Sequence, residues 1–323
     1  MNPIRCAVIG AGYLGRFHAQ KIQFLKQATL VAICDLNADV CEAASQEFEV
    51  PSYQTHRELF GKVDAVCIAA TTNAHYAIAK DCLKAGLHVL IEKPITETVE
   101  QAEELIALAR KHQVKLQVGH MERFNAARLA LDEYLNTPLF IESNRLAPFN
   151  PRGTDVNVVL DLMIHDIDLI QTMVRSPIKS IDAHGAPVLS QSIDIANARI
   201  TFKNHCVANV TASRVSFKTE RKTRIFQQNS YISIDYHNKQ LAVFTKGEGE
   251  MFPGIPDVKR HQSVFDKGDA LLEEITAFVN CIINDTTPLV TGEEGREALS
   301  TAAQISDMIQ HNLMTRHAEP AEA

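Results

Sequence analysis

The sequence predicts an α/β protein of two domains, a doubly wound parallel sheet followed by an α+β domain with an open, mainly antiparallel sheet. A chain of 323 residues is longer than one hydrophobic core usually supports. The first 120 residues alternate short apolar runs with segments of helical period, which is typical of βαβ units. Between residues 178 and 245 strand-like runs follow one another without helices. We therefore predict domains over residues 1–120 and 121–323.

The strands of the first predicted domain are short β-branched runs: IRCAVIG, TLVAICD, DAVCIAA, HVLIEK and KLQVGH. The segment TVEQAEELIALARKH illustrates the helices between them. Thr98 and Gln101 form a predicted capping box at its start, and basic residues complement the helix dipole in its last turn. Such an alternation indicates a parallel sheet with helices on its faces.

The second predicted domain begins with a helix near residues 124–136, a strand LFIESNRL and a helix over 158–170. The expected strands that follow are IKSIDA, ANARITF, CVANVTASR, YISIDY and LAVFT. Two helices end the chain, one near residues 269–284 and one after Thr291, which forms a second predicted capping box with Glu294.

Composition and charge exclude several classes of protein. The chain is 46% hydrophobic and 22% charged, as ordinary globular proteins are. A net charge of −7 argues against nucleic-acid partners, which select basic surfaces. The seven cysteines lack CxxC spacing, and we interpret them as reduced thiols. Because we find neither a signal peptide nor an apolar run of about 18 residues, we expect a cytoplasmic protein without membrane contact.

A glycine turn follows the first predicted strand in AVIGAGYLGRFHA. Gly10, Gly12 and Gly15 have the GxGxxG spacing, with Tyr13 and Leu14 between the last two. The first glycine permits a tight turn, the second lets the backbone approach a pyrophosphate, and the third allows close packing of helix and strand. The helix then offers free amides to the phosphates. The first domain is therefore predicted to be a Rossmann domain that binds a dinucleotide.

Asp35 ends the second predicted strand, twenty residues after Gly15. A carboxylate there can accept hydrogen bonds from the ribose hydroxyls and would repel a 2′-phosphate, so we favour NAD over NADP. The alternative is that Asp35 is a turn residue or helix cap, aided by Asn37.

The ends of the next strands supply further candidates, because the carboxyl ends of parallel strands face the ligand crevice. HVLIEKP places Glu92 and Lys93 there, and the alternative for Lys93 is a surface lysine paired with Glu92. The segment after the preceding strand is expected to form another wall of the crevice, with Thr71, Thr72, Asn73 and His75. For Thr71 to Asn73 the alternative is helix capping.

The helix VVLDLMIHDIDLI carries three ionisable residues among apolar ones. Asp161, His165 and Asp168 lie at i, i+4 and i+7, which places the last two within about 40° of Asp161 around an α-helix. The stripe either looks into a pocket or is a set of buried polar groups that satisfy one another.

Taken in order, Gly10-x-Gly12-x-x-Gly15, Asp35, Glu92-Lys93-Pro94 and Asp161-x-x-x-His165-x-x-Asp168 resemble the glucose-fructose oxidoreductase and inositol dehydrogenase family. The resemblance spans essentially the whole chain. It implies a Rossmann domain, an α/β domain with an open antiparallel sheet, and dimers or tetramers. It also implies Lys93 and His165 as catalytic residues and Asp161 as a substrate-binding or orienting group. Many members have a glycine where this chain has LMI.

The stretch APFNPRGTDVNVVLDLMIHDIDL is similar, more narrowly, to bacterial nucleotide-sugar 3-dehydrogenases of lipopolysaccharide synthesis. That resemblance implies oxidation at carbon 3 of UDP-N-acetylglucosamine. Three arginines are candidate contacts for a substrate diphosphate, with ordinary surface arginine as the alternative: Arg123, Arg145 and Arg152.

We hypothesise that His165 takes the proton of a sugar hydroxyl, that Lys93 stabilises the same oxygen, and that these two roles are interchangeable. Asp168 is expected to support the helix rather than touch substrate. His120 and Glu122 lack the spacing of a zinc site, so no metal is expected. The rival functions are a redox-neutral sugar enzyme with bound NAD and a regulatory protein that senses the dinucleotide.

Overall fold

A computed structural model of the chain describes residues 2–150, 156–265 and 268–318. It divides into two compact units: Met1–Phe124 with Asp269–Leu299, and Asn125–Gly268 with Ser300–Ala323. The strands of the described residues are β1 (Ile4–Ile9), β2 (Ala28–Cys34), β3 (Ser52–Tyr53), β4 (Ala65–Ile68), β5 (His88–Glu92), β6 (Leu116–Gly119), β7 (Pro138–Leu146), β8 (Ile178–Ala186), β9 (Ile195–Phe202), β10 (Val207–Ser213), β11 (Glu220–Gln227), β12 (Ser230–Asp235), β13 (Gln240–Phe252) and β14 (Ile255–Val264). The α-helices are α1 (Tyr13–Phe24), α2 (Ala38–Phe48), α3 (Thr72–Lys84), α4 (Val99–His112), α5 (Ala126–Leu131), α6 (Ile164–Val174), α7 (Ala270–Ile283) and α8 (Gly292–Ala318).

The sheet of the first unit is parallel throughout, with the order β3-β2-β1-β4-β5-β6. The strand β4 is buried at every residue, as expected where helices cover both faces of a sheet. The order reverses between β1 and β4, and ligands of such sheets bind outside the carboxyl ends of the strands at that point. The predicted doubly wound Rossmann sheet is confirmed.

Helix α7 packs within the first unit, although the division at residue 120 assigned it to the second domain. Its apolar face, formed by Leu271, Ile275, Phe278 and Val279, joins one buried cluster with residues of β1, β2 and α1. The hydrophobic period of the sequence shows that this helix has a buried face. It does not show which sheet that face covers, because that depends on the tertiary fold.

The second unit contains a mixed sheet of order β14-β13-β12-β11-β7-β10-β9-β8. Strands β7 and β10 pair in parallel, and the other neighbouring strands pair antiparallel. Buried and more exposed residues alternate along β9 and β10, and α6 packs against β7 and β10. The predicted open, mainly antiparallel sheet is confirmed.

Several element boundaries differ from those predicted. Strands β11 and β14 were not predicted, because ERKTRIFQ and IPDVKRHQSV are rich in charged and polar residues. The helix expected near residues 124–136 is limited to α5, which Asn125 caps by accepting a hydrogen bond from the amide of Ala127. Both predicted capping boxes are present, with Thr98 accepting from the amide of Gln101 and Thr291 from that of Glu294.

All seven cysteines are buried. Burial raises the pKa of the Cys6, Cys34 and Cys82 thiols to about 12, so these side chains are uncharged thiols at neutral pH. Across the described residues, no helix combines the length and hydropathy needed to cross a membrane.

Candidate active site

The glycine turn lies between the carboxyl ends of β1 and β4. Gly10 has a φ of +94°, and a Cβ there would approach the carbonyl oxygen of Ala69 to 2.6 Å. A Cβ at residue 15 would lie 1.7 Å from the carbonyl oxygen of Gly10, so α1 packs directly on the turn. A Cβ at Gly12 would meet nothing within 4 Å. The open space at Gly12, in front of the amino end of α1, fits the pyrophosphate of a dinucleotide.

The carboxylate of Asp35 is held by two backbone amides. One oxygen accepts a 2.7 Å hydrogen bond from the amide of Ala11, and the other accepts a 2.9 Å bond from the amide of Asn37. Asn37 caps α2 through the amides of Asp39 and Val40. Asp35 is therefore a turn residue, and each oxygen keeps a further lone pair with which to accept from a ribose hydroxyl.

The turn after β4 is tied to the turn after β5 by His75. Its ring is buried, with Nδ1 2.9 Å from the carbonyl oxygen of Pro94 and Nε2 3.0 Å from that of Ala70. Burial lowers the pKa of His75, which favours the neutral ring. Thr71 occupies the N-cap of α3, but its hydroxyl donates to the side-chain oxygen of Asn73, 2.6 Å away.

Glu92 turns inward from the end of β5. Its carboxylate lies 2.8 Å from Nε2 of His18, a buried residue of α1 that sequence reasoning did not single out. The neighbouring Lys93 is half-buried and precedes a cis peptide bond to Pro94. The His18–Glu92 contact joins the helix that follows the glycine turn to the strand that leads to Lys93.

In the second unit, the segment with Asp161 is a π-helix rather than an α-helix. The π-helical turn covers Val159–Met163, and the amide of Ile164 bonds the carbonyl oxygen of Val159 five residues earlier. Asn157 holds the start of this turn by accepting from the amides of Val159 and Leu160. The predicted position of Asp161 around the helix axis is therefore wrong. The rotation per residue of an α-helix does not apply within the π-helical turn, which contains an extra residue.

The three residues of the stripe differ in exposure. Asp161 and His165 are half-buried, whereas Asp168 is 2% exposed and lies in the interior. π-turns occur frequently at functional sites. The open part of the stripe is thus restricted to Asp161 and His165.

Two buried ion pairs fix the surroundings of this helix. Asp166, which is 0% exposed, accepts a 2.7 Å hydrogen bond from Nε of Arg145 on β7. Asp194, also 0% exposed, accepts a 2.8 Å bond from Nε of Arg214. A second nitrogen of Arg214 donates to the carbonyl oxygen of Val156, two residues before Val158.

Asp194 also accepts hydrogen bonds from its own loop. Its oxygens accept from the amides of Val188 and Ser190 and from the hydroxyl of Ser190. Burial alone raises the pKa of Asp194, but these bonds and Arg214 outweigh it and hold the pKa well below its usual range. Sequence reasoning missed this pair because no spacing connects residues from two separate loops.

The candidate arginines have different environments. Arg123 is 7% exposed and donates to the carboxylate of Glu294 at 3.0 Å. Arg145 is committed to Asp166, so its position does not favour a diphosphate contact. Arg152 lies outside the described residues. Within those residues, no group of three His, Cys, Asp or Glu side chains is arranged to hold a metal ion.

The candidate residues form two sets, one in each unit. The first unit brings together the glycine turn, Asp35, the residues after β4, and Glu92 with Lys93. Asp161 and His165 lie on one helix of the second unit. The first set is suited to a dinucleotide, and the second offers a carboxylate and an imidazole for proton transfer.

Comparison with known proteins identifies both parts of the chain. A family model described as an oxidoreductase family with an NAD-binding Rossmann fold matches residues 4–120, and the model of the GFO/IDH/MocA C-terminal domain matches residues 138–232. The chain belongs to the GFO/IDH/MocA oxidoreductase family. It is therefore an oxidoreductase, and its cofactor is NAD.

Similar members of the GFO/IDH/MocA family cover nearly the whole chain. A UDP-N-acetylglucosamine 3-dehydrogenase of Acidithiobacillus ferrooxidans is 38% identical over 94% of this chain and 97% of the relative. A solved structure with that name from the same organism has a TM-score of 0.90 at 36% identity, covering 96% of this chain and 99% of the other. A myo-inositol 2-dehydrogenase of Thermotoga maritima is 25% identical over 92% and 93% of the two chains. The resemblance seen in the motifs is confirmed.

Gly12→Val is expected to weaken NAD binding by about tenfold or more, because its side chain fills the open space in front of α1. The melting temperature should stay close to that of the wild type, since no protein atom lies near the new Cβ. Titration calorimetry and thermal unfolding check both points. Gly249→Val, also with no atom near its Cβ, is the control and should bind NAD normally. Equal affinities in the two variants would contradict the assignment of the turn.

Asp194→Asn is expected to lower the free energy of unfolding by about 3 kcal/mol at pH 7, because Arg214 keeps a buried charge without its counter-ion. The pKa of Asp194 is lower in the folded than in the unfolded chain, so its contribution is present above about pH 4 and disappears as the pH falls further. Urea unfolding at several pH values should show the two proteins converging in acid. Asp182→Asn, at an exposed aspartate of β8, should change little at any pH.

Proposed function

We propose that this oxidoreductase oxidises a secondary alcohol of a sugar or nucleotide sugar, with carbon 3 of UDP-N-acetylglucosamine as the first candidate. The observation that carries this proposal is the likeness to the Acidithiobacillus dehydrogenase of that name, which extends over 94% of this chain. The inositol dehydrogenase relative also acts, by its name, on a cyclic secondary alcohol. In this proposal residues 1–120 hold the dinucleotide, and residues 121–323 bind substrate and form the oligomer.

The cofactor residues proposed for the first domain surround the glycine turn. Gly10, Gly12 and Gly15 leave room for the pyrophosphate, and Tyr13, which is 78% exposed, flanks it with Leu14. Asp35 accepts from the ribose. The residues at and beyond the ends of β4 and β5 are proposed for the nicotinamide side of the site: Thr71, Thr72, Asn73, His75, Glu92 and Lys93, of which His75 and Glu92 are buried.

The chemistry requires one group to remove a proton and another to stabilise the oxygen. Bound NAD supplies the acceptor for the hydride of the alcohol carbon. His165 takes the hydroxyl proton, since an imidazole titrates close to neutral pH. Lys93 donates a hydrogen bond to the same oxygen and stabilises its developing negative charge. Asp161, on the neighbouring turn, orients the substrate or the imidazole.

The exposed face of the second sheet supports a homo-oligomer. A row of aromatic rings crosses four strands, with centroids 5.1 to 6.0 Å apart, formed by Phe140, Phe226, Tyr231 and Phe244. Phe226 is 36% exposed, and an apolar row of this kind is typical of a contact surface. We propose a cytoplasmic dimer or tetramer that acts in lipopolysaccharide synthesis, where an aminotransferase would consume the keto sugar.

Turnover of UDP-N-acetylglucosamine with NAD, followed at the absorbance of NADH, tests the proposal. Lys93→Ala and His165→Ala are each expected to lower kcat by about a hundredfold or more while NAD still binds, because each removes a group that acts on the hydroxyl. Lys84→Ala and His184→Ala, at exposed positions of α3 and β8, are the matched controls. NAD binding without NADH formation across nucleotide sugars, sugars and inositols would instead support a redox-neutral or sensing role.

Asp35→Ser is expected to reduce the preference for NAD over NADP by about tenfold, because the repulsion of the 2′-phosphate is removed. The ratio of kcat/KM for the two cofactors measures this preference. Asp39→Ser removes an exposed acid four residues further along and should leave the ratio unchanged. An unaltered ratio in Asp35→Ser would show that this carboxylate serves the turn alone.

A further inference from the structure

Glu92, the residue that precedes Lys93, belongs to a buried cluster of ionisable groups. Glu92 at the end of β5 is 8% exposed, and its Oε1 lies 2.8 Å from Nε2 of His18. Its other oxygen faces β6, where a Cβ at Gly119 would lie 2.9 Å from Oε2. The position of Gly119 therefore leaves space for a carboxylate in the interior of the sheet.

Glu274 approaches the same cluster from α7. The residue is 0% exposed and lies on the helix face that contains Ile275 and Phe278, which belong to the hydrophobic core. Neither carboxyl oxygen of Glu274 has a hydrogen-bond partner among the described residues. Gln117 on β6 donates to the backbone carbonyl of Glu274 at 3.2 Å, and its own side-chain oxygen is equally without a partner there. A carboxyl in these surroundings is far more stable protonated than ionised.

Two causes raise the pKa of Glu274. Burial raises its pKa well above the usual range, and the negative charge of Glu92 raises it further. Titratable and charged groups also come from two elements that pack on α7, namely His18 of α1, and Glu122 and Arg123 of the 3-10 turn after β6. The Cys67 thiol of β4 interacts electrostatically with Glu274. Lys21 of α1 pairs with Asp269 at the amino end of α7, away from the buried face.

We propose that Glu274 holds a proton beside Glu92 and releases it to solvent when the oxidised cofactor binds. The nicotinamide ring of NAD⁺ carries a positive charge, whereas that of NADH is neutral. A positive charge at the carboxyl ends of β4 and β5 stabilises a second carboxylate in the cluster, so the O–H bond of the carboxyl breaks and its proton passes to a buffer base. NADH provides no such stabilisation. Glu274 is thus a positioning residue that acts through Glu92, and it discriminates between the two redox forms of the cofactor.

The inference rests on the proposed placement of the nicotinamide beside Lys93, but not on the identity of the sugar. Its failure is therefore distinguishable from failure of the proposed function. NAD⁺ binding appears directly as heat, and turnover is measured separately.

The test is titration calorimetry with NAD⁺ and NADH in phosphate and in Tris, which differ in ionisation enthalpy, at several values between about pH 6 and 9. The wild type should release up to about one proton with NAD⁺ and none with NADH. The Kd for NAD⁺ should correspondingly fall by about three- to tenfold per pH unit where release occurs, while that for NADH stays level.

Glu274→Gln keeps the shape of the protonated carboxyl and should abolish the proton release that is specific to NAD⁺. Glu273→Gln is the matched control, because it removes an exposed carboxylate from the adjacent position of the same helix and should behave as the wild type does. Persistent release in Glu274→Gln, or loss of release in Glu273→Gln, would overturn the proposal. If Glu274→Gln fails to fold, the wild-type protein alone still tests the proposal, since equal proton release with NAD⁺ and NADH would refute it.

Discussion

The close approach of α1 to the turn after β1 is the constraint on which the candidate cofactor site depends. A Cβ at residue 15 would lie 1.7 Å from the carbonyl oxygen of Gly10, so only glycine permits this packing. The same approach places the amide of Ala11 on the carboxylate of Asp35. One turn further along, α1 brings His18 to Glu92. A single steric condition thus aligns the phosphate-binding turn, the acid after β2 and the strand that ends at Lys93.

The parts of the fold that could be predicted are those set by local rules. Strand period, the GxGxxG spacing and the two capping boxes each depend on residues a few positions apart. The placement of α7 depends instead on which apolar surface is left to cover, and Leu271 and Phe278 carry no information about that surface. Strand β11 shows the same limit, because Arg221 and Lys222 give a polar pattern to a strand that lies inside its sheet.

The candidate site divides in the same way. Asp161 and His165 stand out in the sequence because ionisable residues are rare on so apolar a helix. The π-turn that sets their register is not evident from the sequence. The start of this turn is held by Asn157 and by a hydrogen bond from the amide of Val158 to the carbonyl of Ile193, which is distant along the chain. Asp166 lies on the same helix yet was not singled out. Its role depends on Arg145, a partner about twenty residues earlier, at no characteristic spacing.

Buried acids of the two units are stabilised differently. Asp166 and Asp194 each face a guanidinium, which makes ionised carboxylates acceptable in the interior. Glu274 has no hydrogen bond to either oxygen within the described residues, and the charge that raises its pKa is that of another carboxylate. A leucine there would continue the apolar face of α7 without the desolvation of a polar group. We therefore expect the carboxyl to make the first unit less stable than a leucine would, and we expect its proton affinity to depend on nearby charge.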